Sequence, residues 1–353
     1  MIEQISKLPK WLTRGLVLPL LVLNGWLLIL IFEYFDSIIT IFATATLLSF
    51  ILDYPVRFLE QRRLPRAIAI LIVLLTGILL LGIIGVTVIP ILIDQINGLL
   101  ERLPSYVASG SEQAKAFEVW ADERNFPVSV SSLVVEALSR TSDQLQQLSG
   151  QLLGSVFSVV GSLFDLLLTI VLTFYLLLHG TELWSDLFQI FPDDLGFKLR
   201  ESLKQTFNNY FVGQLTVASV MGTTITITFF IIQVPFALLF GLIVGIMALF
   251  PFGAGLSISL VSFLMALKSV WLGLRVLVVA FIIEQIVESI IAPRLLGEFT
   301  GLNPVLVLVS LLIGAQLGGF LGLVLAVPVA SFINSLWTIF KTDPETIELP
   351  LNV

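Results

Sequence analysis

The chain has 353 residues, of which 57% are hydrophobic and 12% are charged, and its mean hydropathy is +1.03. These values exclude an ordinary soluble domain, and a net charge of −7 does not favour a nucleic-acid partner. The absence of cysteine excludes disulfides and thiolate metal sites. Because lipid offers backbone groups no hydrogen-bonding partner, the long apolar runs predict an all-α integral membrane protein, a helical bundle.

The first unit, residues 1–93, contains three predicted membrane spans at residues 16–32, 37–52 and 67–93. We expect the first span to be uncleaved, because no small-residue cleavage site follows it. The basic residues on either side of the first two spans are Lys7, Lys10, Arg14, Arg57, Arg62, Arg63 and Arg66. Since cytoplasmic loops are rich in Lys and Arg, the N-terminus and the basic loop 53–66 are predicted to be cytoplasmic. The arginines of this loop serve as a topology anchor or, alternatively, as a specific lipid site.

Residues 94–150 form the one substantial polar stretch of the chain. Counting the crossings places it outside the cytoplasm, and leucines at helical spacing predict an extracytoplasmic helical cap, with breaks at Pro104 and Pro127. No nucleophile-base pair, phosphate-binding loop or metal cluster occurs in the chain. We therefore expect neither an enzyme nor a cofactor.

Residues 151–208 combine a fourth span, at about 155–178, with an amphipathic cytoplasmic segment. The span contains Asp165, which is either a functional residue or the partner of an interhelical hydrogen bond. It ends at His179, the single histidine, for which an interfacial position without a special role is expected. The amphipathic segment is predicted to break at Pro192, and it either lies on the membrane or links two bundles.

Residues 209–340 contain a repeated pattern of one full span followed by an interrupted apolar pair. The span 209–232 precedes the pair 235–267, and the span 270–291 precedes the pair 304–337. Such paired interruptions point to a transporter's binding site, because broken helices bring helix ends to mid-membrane. The pattern predicts about six full spans plus two glycine/proline-interrupted hairpins in an inverted repeat, followed by a cytoplasmic tail, 341–353. Pairs of short full spans, or glycine-distorted helices with no binding role, are the alternatives.

The candidate binding residues come from this repeat. Glu284 and Glu288 lie four residues apart on one helix face, where they can bind a cation, carry a proton, or pair with a nearby basic residue. The candidate partners are Arg294, Arg275 and Lys268. The full set of substrate- or ion-binding candidates is Glu284, Glu288, Gln214, Thr223, Pro251, Gly253, Asn303, Gly318 and Gly319. The predicted structural hinges are Pro235, Pro293, Gly297, Pro304, Gly314 and Pro328.

The runs EQIVESIIAPRLLG and LNPVLVLVSLLIGAQLGGFLGLVLAVPVA resemble the C-terminal signature of the autoinducer-2 exporter family of bacterial permeases. Four earlier segments, DYPVRFLEQRRLPRAIAI, FYLLLHG, GQLTVASVMGTTITI and VPFALLFGLIVGIMALFPFGAG, are also similar to it. The resemblance implies a permease fold in the bacterial inner membrane, cytoplasmic termini, and a homo-oligomer, with a pentamer suggested by the family alone. The resemblance does not place Glu284 or Asp165. The positions that it matches are Gln214, Pro235, Pro251, Glu288, Pro293, Gly297, Pro304, Gly314, Gly319, Gly322 and Pro328.

Three hypotheses follow for function. The first is export of a small polar metabolite or a signalling molecule such as autoinducer-2, by alternating access. The second is a sodium/proton antiporter in which Glu288, with Glu284, binds Na+ and H+ in competition. The third is a non-transporting membrane scaffold whose cap, residues 94–150, binds a partner. The expected partners are thus a small solute, Na+ or H+ as the coupling ion, and membrane lipid.

Overall fold

The computed structural model describes residues 34–124, 163–189, 193–296 and 302–342, with a few residues between 19 and 31. These ranges contain helices and no strand, which confirms the predicted all-α fold for them. The first four helices are α1 (Asp36–Glu60), α2 (Arg66–Asp122), α3 (Leu163–Phe188) and α4 (Asp193–Ile231). They are followed by α5 (Ala237–Met247), α6 (Gly253–Lys268), α7 (Val270–Ile286), a π-helical turn (Val287–Ile291), α8 (Ala292–Leu296) and α9 (Pro304–Thr342).

Five helical stretches within the described ranges are long and apolar enough to cross a bilayer. They are Asp36–Glu60, Arg66–Asp122, Leu195–Ile231, Val270–Arg294 and Pro304–Leu336. The chain is therefore a multi-pass membrane protein. The last stretch is long enough for a span but is not one continuous helix, because its backbone leaves the helical conformation at Gly318 and Gly319. The predicted first span, 16–32, lies only partly within the described residues.

Helix α2 is a single helix of 57 residues that runs from the third predicted span into the polar region. The break predicted at Pro104 is wrong, because both Pro90 and Pro104 lie inside the helix. Leu103 and Tyr106, on either side of Pro104, are buried in the largest cluster of core residues. Their packing offsets the ~3 kcal/mol that an internal proline costs a helix. The predicted break at Pro127 lies outside the described residues.

Helix α4 joins two segments that the sequence separates, the amphipathic stretch and the first span of the repeat. It is continuous over 39 residues, so the end of the amphipathic stretch links to the span rather than forming a separate surface helix. Its N-terminal part buries Leu195 and Leu199. The described helices end at Phe188 and resume at Asp193, while Pro192 itself lies outside the described residues.

Helix α4 is the centre of the bundle and contacts α1, α3, α5, α7, α8 and α9. The largest core cluster joins it to α2, α5, α6 and α7, and a second joins it to α1 and α9. Contact with α5 is backbone to backbone, since a Cβ on Gly222 would lie 3.1 Å from the Cα of Gly245. Small residues of this kind let membrane helices approach closely. The hairpin that begins with α5 is thereby fixed to the central helix.

A third cluster ties α1, α2 and α3 together at the end of the bundle that carries the basic loop. There the Arg66 guanidinium donates two hydrogen bonds to the carbonyl oxygen of Leu177, at 3.1 and 2.8 Å. The same guanidinium lies 3.6 Å from Asp53 and 3.4 Å from Glu60. Arg66 is thus part of the structure that holds α3 against the first two helices.

Candidate functional site

The first interrupted pair is a helix-turn-helix made of α5 and α6. The two helices have 11 and 16 residues, which at 1.5 Å per residue gives about 16 and 24 Å, each less than a ~30 Å hydrocarbon layer. The turn between them ends at Phe252, which has a left-handed φ of 66°. Gly253 follows at once, and a Cβ there would collide with the carbonyl oxygen of Met247. The interruption predicted at Pro251 and Gly253 lies in this turn.

Gln214 connects the central helix to the turn of this first hairpin. Its Nε2 donates a 2.5 Å hydrogen bond to the carbonyl oxygen of Ala248, which follows the last residue of α5. The last carbonyls of a helix have no partner within the helix and carry partial negative charge. Gln214 therefore provides a hydrogen-bond donor for a carbonyl at the end of a broken helix. The sequence predicts a substrate- or ion-binding role for this residue.

The second interrupted pair is α9, which is two helical arms rather than one rod. Gly318 (φ −133°, ψ 20°) and Gly319 (φ 53°, ψ −131°) are non-helical. On either side of them Gly314 and Gly322 meet, since a Cβ on either would collide with the carbonyl oxygen of the other. The arms therefore fold back on each other in close contact, which confirms the predicted interruption at Gly318 and Gly319.

The turns of the two hairpins lie against each other. The Phe250 ring, in the turn of the first hairpin, packs edge-on against the Phe320 ring, with centroids 5.6 Å apart and an interplanar angle of 82°. Phe320 is the first residue after the Gly318–Gly319 interruption. Sequence reasoning missed both rings, although each stands beside a predicted interruption. We call this pair of turns, joined by Phe250 and Phe320, the hairpin tips.

Glu284 lies on α7 beside the first turn of α6. Its side chain is buried, with the residue 8% exposed, and the position of a Cβ on Gly255 would be 3.1 Å from its Oε1 atom. The first backbone N–H groups of a helix lack intrahelical partners and carry partial positive charge. The carboxylate thus occupies the positive end of the second helix of the hairpin.

Glu288 lies in the π-helical turn, and its side chain is exposed on the surface of the chain. The wider turn has a local cause in Pro293, whose ring would clash with the carbonyl four residues earlier in a regular α-helix. The helix continues through Pro293 to Leu296, so the chain does not fold back there. π-Helical turns are frequent at functional sites, and sequence reasoning missed this one although Pro293 was its signal.

None of the three predicted counter-charges pairs with these carboxylates. Arg294 is exposed in α8, the Arg275 guanidinium lies 5.9 Å from the Trp271 ring, and Lys268 is at the end of α6. Across the described residues, neither Glu284 nor Glu288 makes an ion pair. The alternative of a structural ion pair is therefore not observed in this part of the chain.

The other predicted residues occupy separate positions. Thr223 is exposed on α4, and Asn303 caps α9, because its Oδ1 accepts a 2.9 Å hydrogen bond from the Val305 backbone N–H. Asp165 and His179 lie on α3, whose main contacts are with α1, α2 and α4 rather than with the hairpins. Of the predicted hinges, Pro235 is in the turn before α5, Pro304 begins α9, Gly314 is at the arm contact, and Pro328 is buried inside α9. Gly297 lies outside the described residues.

The family profile described as "AI-2E family transporter" matches residues 16–341 of the chain. The chain belongs to this family. Two relatives from Synechocystis sp. are named "Putative transport protein sll0060" and "Putative transport protein sll0063". The first is 42% identical over 328 residues, covering 93% of this chain and 95% of the relative. The second is 44% identical over 332 residues, covering 92% and 84%.

A more distant relative is "Putative permease PerM" of Escherichia coli, 23% identical over 330 residues and covering 86% of this chain and 87% of the relative. These names describe transport proteins and permeases rather than enzymes. In this AI-2E family transporter, the hairpin tips and the two carboxylates of α7 and the π-helical turn form the candidate functional site. A membrane transport protein implies a small solute as its substrate.

Proposed function

We propose that this transporter moves a small polar solute out of the cell by alternating access, through a site between the hairpin tips and the α7 carboxylates. The observation that carries the proposal is the contact between Phe250 and Phe320. It joins the turns of two broken helix pairs, and the ends of broken helices are where many secondary transporters hold their substrates.

The helix ends at the tips supply complementary partial charges. The α5 end presents carbonyls, one of them held by Gln214, and the α6 end presents N–H groups next to Glu284. A polar solute can therefore find donors and acceptors there without a net charge of its own. In the proposed cycle the two aromatic rings separate to open the path on one side and meet again to close it.

Both hairpins are proposed to be re-entrant, the first from outside and the second from the cytoplasm. The arms of the first hairpin are short for a full crossing, and the second is folded at Gly318 and Gly319. In this arrangement the preceding spans run in opposite directions, which gives an inverted repeat over residues 209–340. Cytoplasmic termini and a homo-oligomeric assembly belong to the same proposal.

Flux through the purified full-length chain in proteoliposomes tests the proposal. Autoinducer-2 and a panel of small polar metabolites of similar size are loaded in turn, and uptake and efflux are followed with and without proton and sodium gradients. We expect flux of at least one solute, reduced by at least tenfold in Phe320→Trp, where a larger ring fills the gap between the tips. Absence of solute flux under every gradient would refute the proposal.

Sodium/proton antiport is a second candidate, favoured by the carboxylates. Glu284 is buried without an ion-pair partner among the described residues, and Glu288 lies one turn away. Intramembrane carboxylates of this kind mark ion and proton pathways. In vesicles containing a pH-sensitive dye, a sodium gradient should then drive proton movement, which Glu288→Gln abolishes and Glu182→Gln, in α3, leaves unchanged. Sodium-driven proton movement that persists in Glu288→Gln excludes Glu288 as the coupling site.

A further inference from the structure

A cavity with charged residues in its lining lies far along the chain from the hairpin tips, where the end of α1, the second half of α3 and the first half of α4 converge. Its volume is about 400 Å³, which is within the range of small-molecule sites in proteins. The basic loop 53–66 forms part of its rim, so the charge pattern places it at the cytoplasmic end of the bundle. Nothing in the proposed transport path uses it.

Cations outnumber carboxylates in the lining of this cavity. The cationic side chains are Arg57, Arg66, Arg200 and Lys204, and the carboxylates are Asp53 and Glu201. Asp53 is already shared, because it lies 2.7 Å from the Arg57 Nε and 3.6 Å from the Arg66 guanidinium. Lys204 makes no ion pair with any described residue. When Glu60 is counted, which lies 3.4 Å from the Arg66 guanidinium just outside the lining, one positive charge is still in excess among the described residues. This excess favours an anion as the occupant.

Apolar and aromatic side chains form much of the rest of the lining, together with the uncharged polar residues Ser49, Gln61, Gln205, Asn208 and Asn209. Phe50 and Tyr54 of α1, Leu176 and Trp184 of α3, and Leu203 of α4 contribute to it. An anion held here would thus have a charged end among the arginines and an apolar or uncharged body against these side chains. Basic pockets between helices on the cytoplasmic side of membrane proteins bind lipid phosphates in this way.

We propose that this cavity binds a phosphate-ester anion, with Arg200 and Lys204 of α4 as the residues that hold the phosphate. Arginine matches phosphate oxygens in a bidentate geometry, and lysine acts as a point charge. The phosphate belongs either to the headgroup of an anionic phospholipid or to a soluble phosphate ester. Since α4 is also the helix on which Gln214 and the first hairpin are mounted, the anion contacts the element at the centre of the bundle.

Titration of the full-length protein in detergent tests this site, with the fluorescence of Trp184 as the reporter and Trp184→Phe as the check on the signal. The probes are short-chain phosphatidylglycerol, short-chain phosphatidylcholine and sodium glycerol phosphate. We expect saturable binding of phosphatidylglycerol or glycerol phosphate. Binding of the lipid alone assigns the phosphate to a headgroup, whereas comparable binding of glycerol phosphate assigns it to a soluble ester.

The double substitution Arg200→Gln with Lys204→Gln is expected to weaken binding at least tenfold. The matched control for the single substitution Lys204→Gln is Lys198→Gln, which removes one positive charge from the same helix outside the cavity lining and should change the affinity less than twofold. Lys204→Gln alone alters an exposed side chain and should weaken binding severalfold without disturbing the fold. Unchanged affinity in the double variant, an equal loss in Lys198→Gln, or equal binding of phosphatidylcholine would overturn the proposal.

Discussion

At the scale of single residues, hydrogen-bond partners separate two uses of polar side chains near a broken helix. Gln214 donates to the Ala248 carbonyl at the first interruption, and Asn303 accepts from the Val305 N–H at the start of α9, so each stabilises a helix end. Glu284 is buried beside a helix end without an ion-pair partner among the described residues. Both amide side chains are thus used at helix ends, and Glu284 is the side chain that we propose for a bound cation or proton.

Replacing Gln214 by leucine tests its role at the helix end. The substitution leaves the carbonyl of the buried Ala248 without its donor, which should reduce the free energy of unfolding by about 1–3 kcal/mol. Thermal unfolding of the full chain in detergent measures the loss as a lower apparent melting temperature. Gln205→Leu, on the exposed side of the same helix, is the control, and an equal effect of both changes would contradict the role of the hydrogen bond.

At the scale of helices, the interruptions differ in how strictly they require glycine. Gly253 is required by space, since a Cβ would meet the Met247 carbonyl. Gly319 is required by its backbone, because a φ of 53° with a ψ of −131° is accessible to few residues other than glycine. Gly318 has a negative φ and open space around it. The fold of α9 thus depends on one of its two adjacent glycines more than on the other.

The substitutions Gly319→Ala and Gly318→Ala form a matched pair. A Cβ meets no other atom within 4 Å at either position, so the difference between them is backbone strain alone. Gly319→Ala should cost of order 1–3 kcal/mol and reduce solute flux, while Gly318→Ala should have a small effect on both. Chemical unfolding and proteoliposome flux measure the two quantities. Equal behaviour of the variants would show that the hairpin does not depend on the conformation of Gly319.

At the scale of the whole molecule, two halves of the C-terminal region meet at their turns. The first half consists of α4 with the α5–α6 hairpin, and the second consists of α7 with its π-helical turn, α8 and the α9 arms. Phe250 and Phe320 join the two turns through one aromatic contact, which is weak enough to break and reform, since such pairs contribute about 0.5–1.5 kcal/mol. The halves also pack through α6 against α7 and through α4 against α7, α8 and α9. A local movement of the α9 turn, rather than displacement of a whole half, would therefore separate the tips.

Cross-linking the tips tests whether this separation is part of transport. Because the chain has no cysteine, the pair Phe250→Cys with Phe320→Cys can be joined by oxidation or a short bifunctional reagent without background. We expect a cross-link within one chain, loss of solute flux in the linked protein, and recovery after reduction of the disulfide. Each single variant should transport in the presence of oxidant. Full flux through the linked protein would exclude tip separation as a step.

The sequence by itself determined the class of the protein and the places where its helices are interrupted. Hydropathy reports the preference of a segment for lipid. The constraints on Gly253 and Gly319 come from the nearby Met247 carbonyl and from the backbone angles of Gly319 itself, so both features can be read from the local sequence. The tertiary structure decided the continuity of α2 through Pro104, the meeting of Phe250 with Phe320, and the place of Glu284 beside Gly255. These features depend on contacts between residues distant in the chain, and such packing overrides or completes what local propensity specifies.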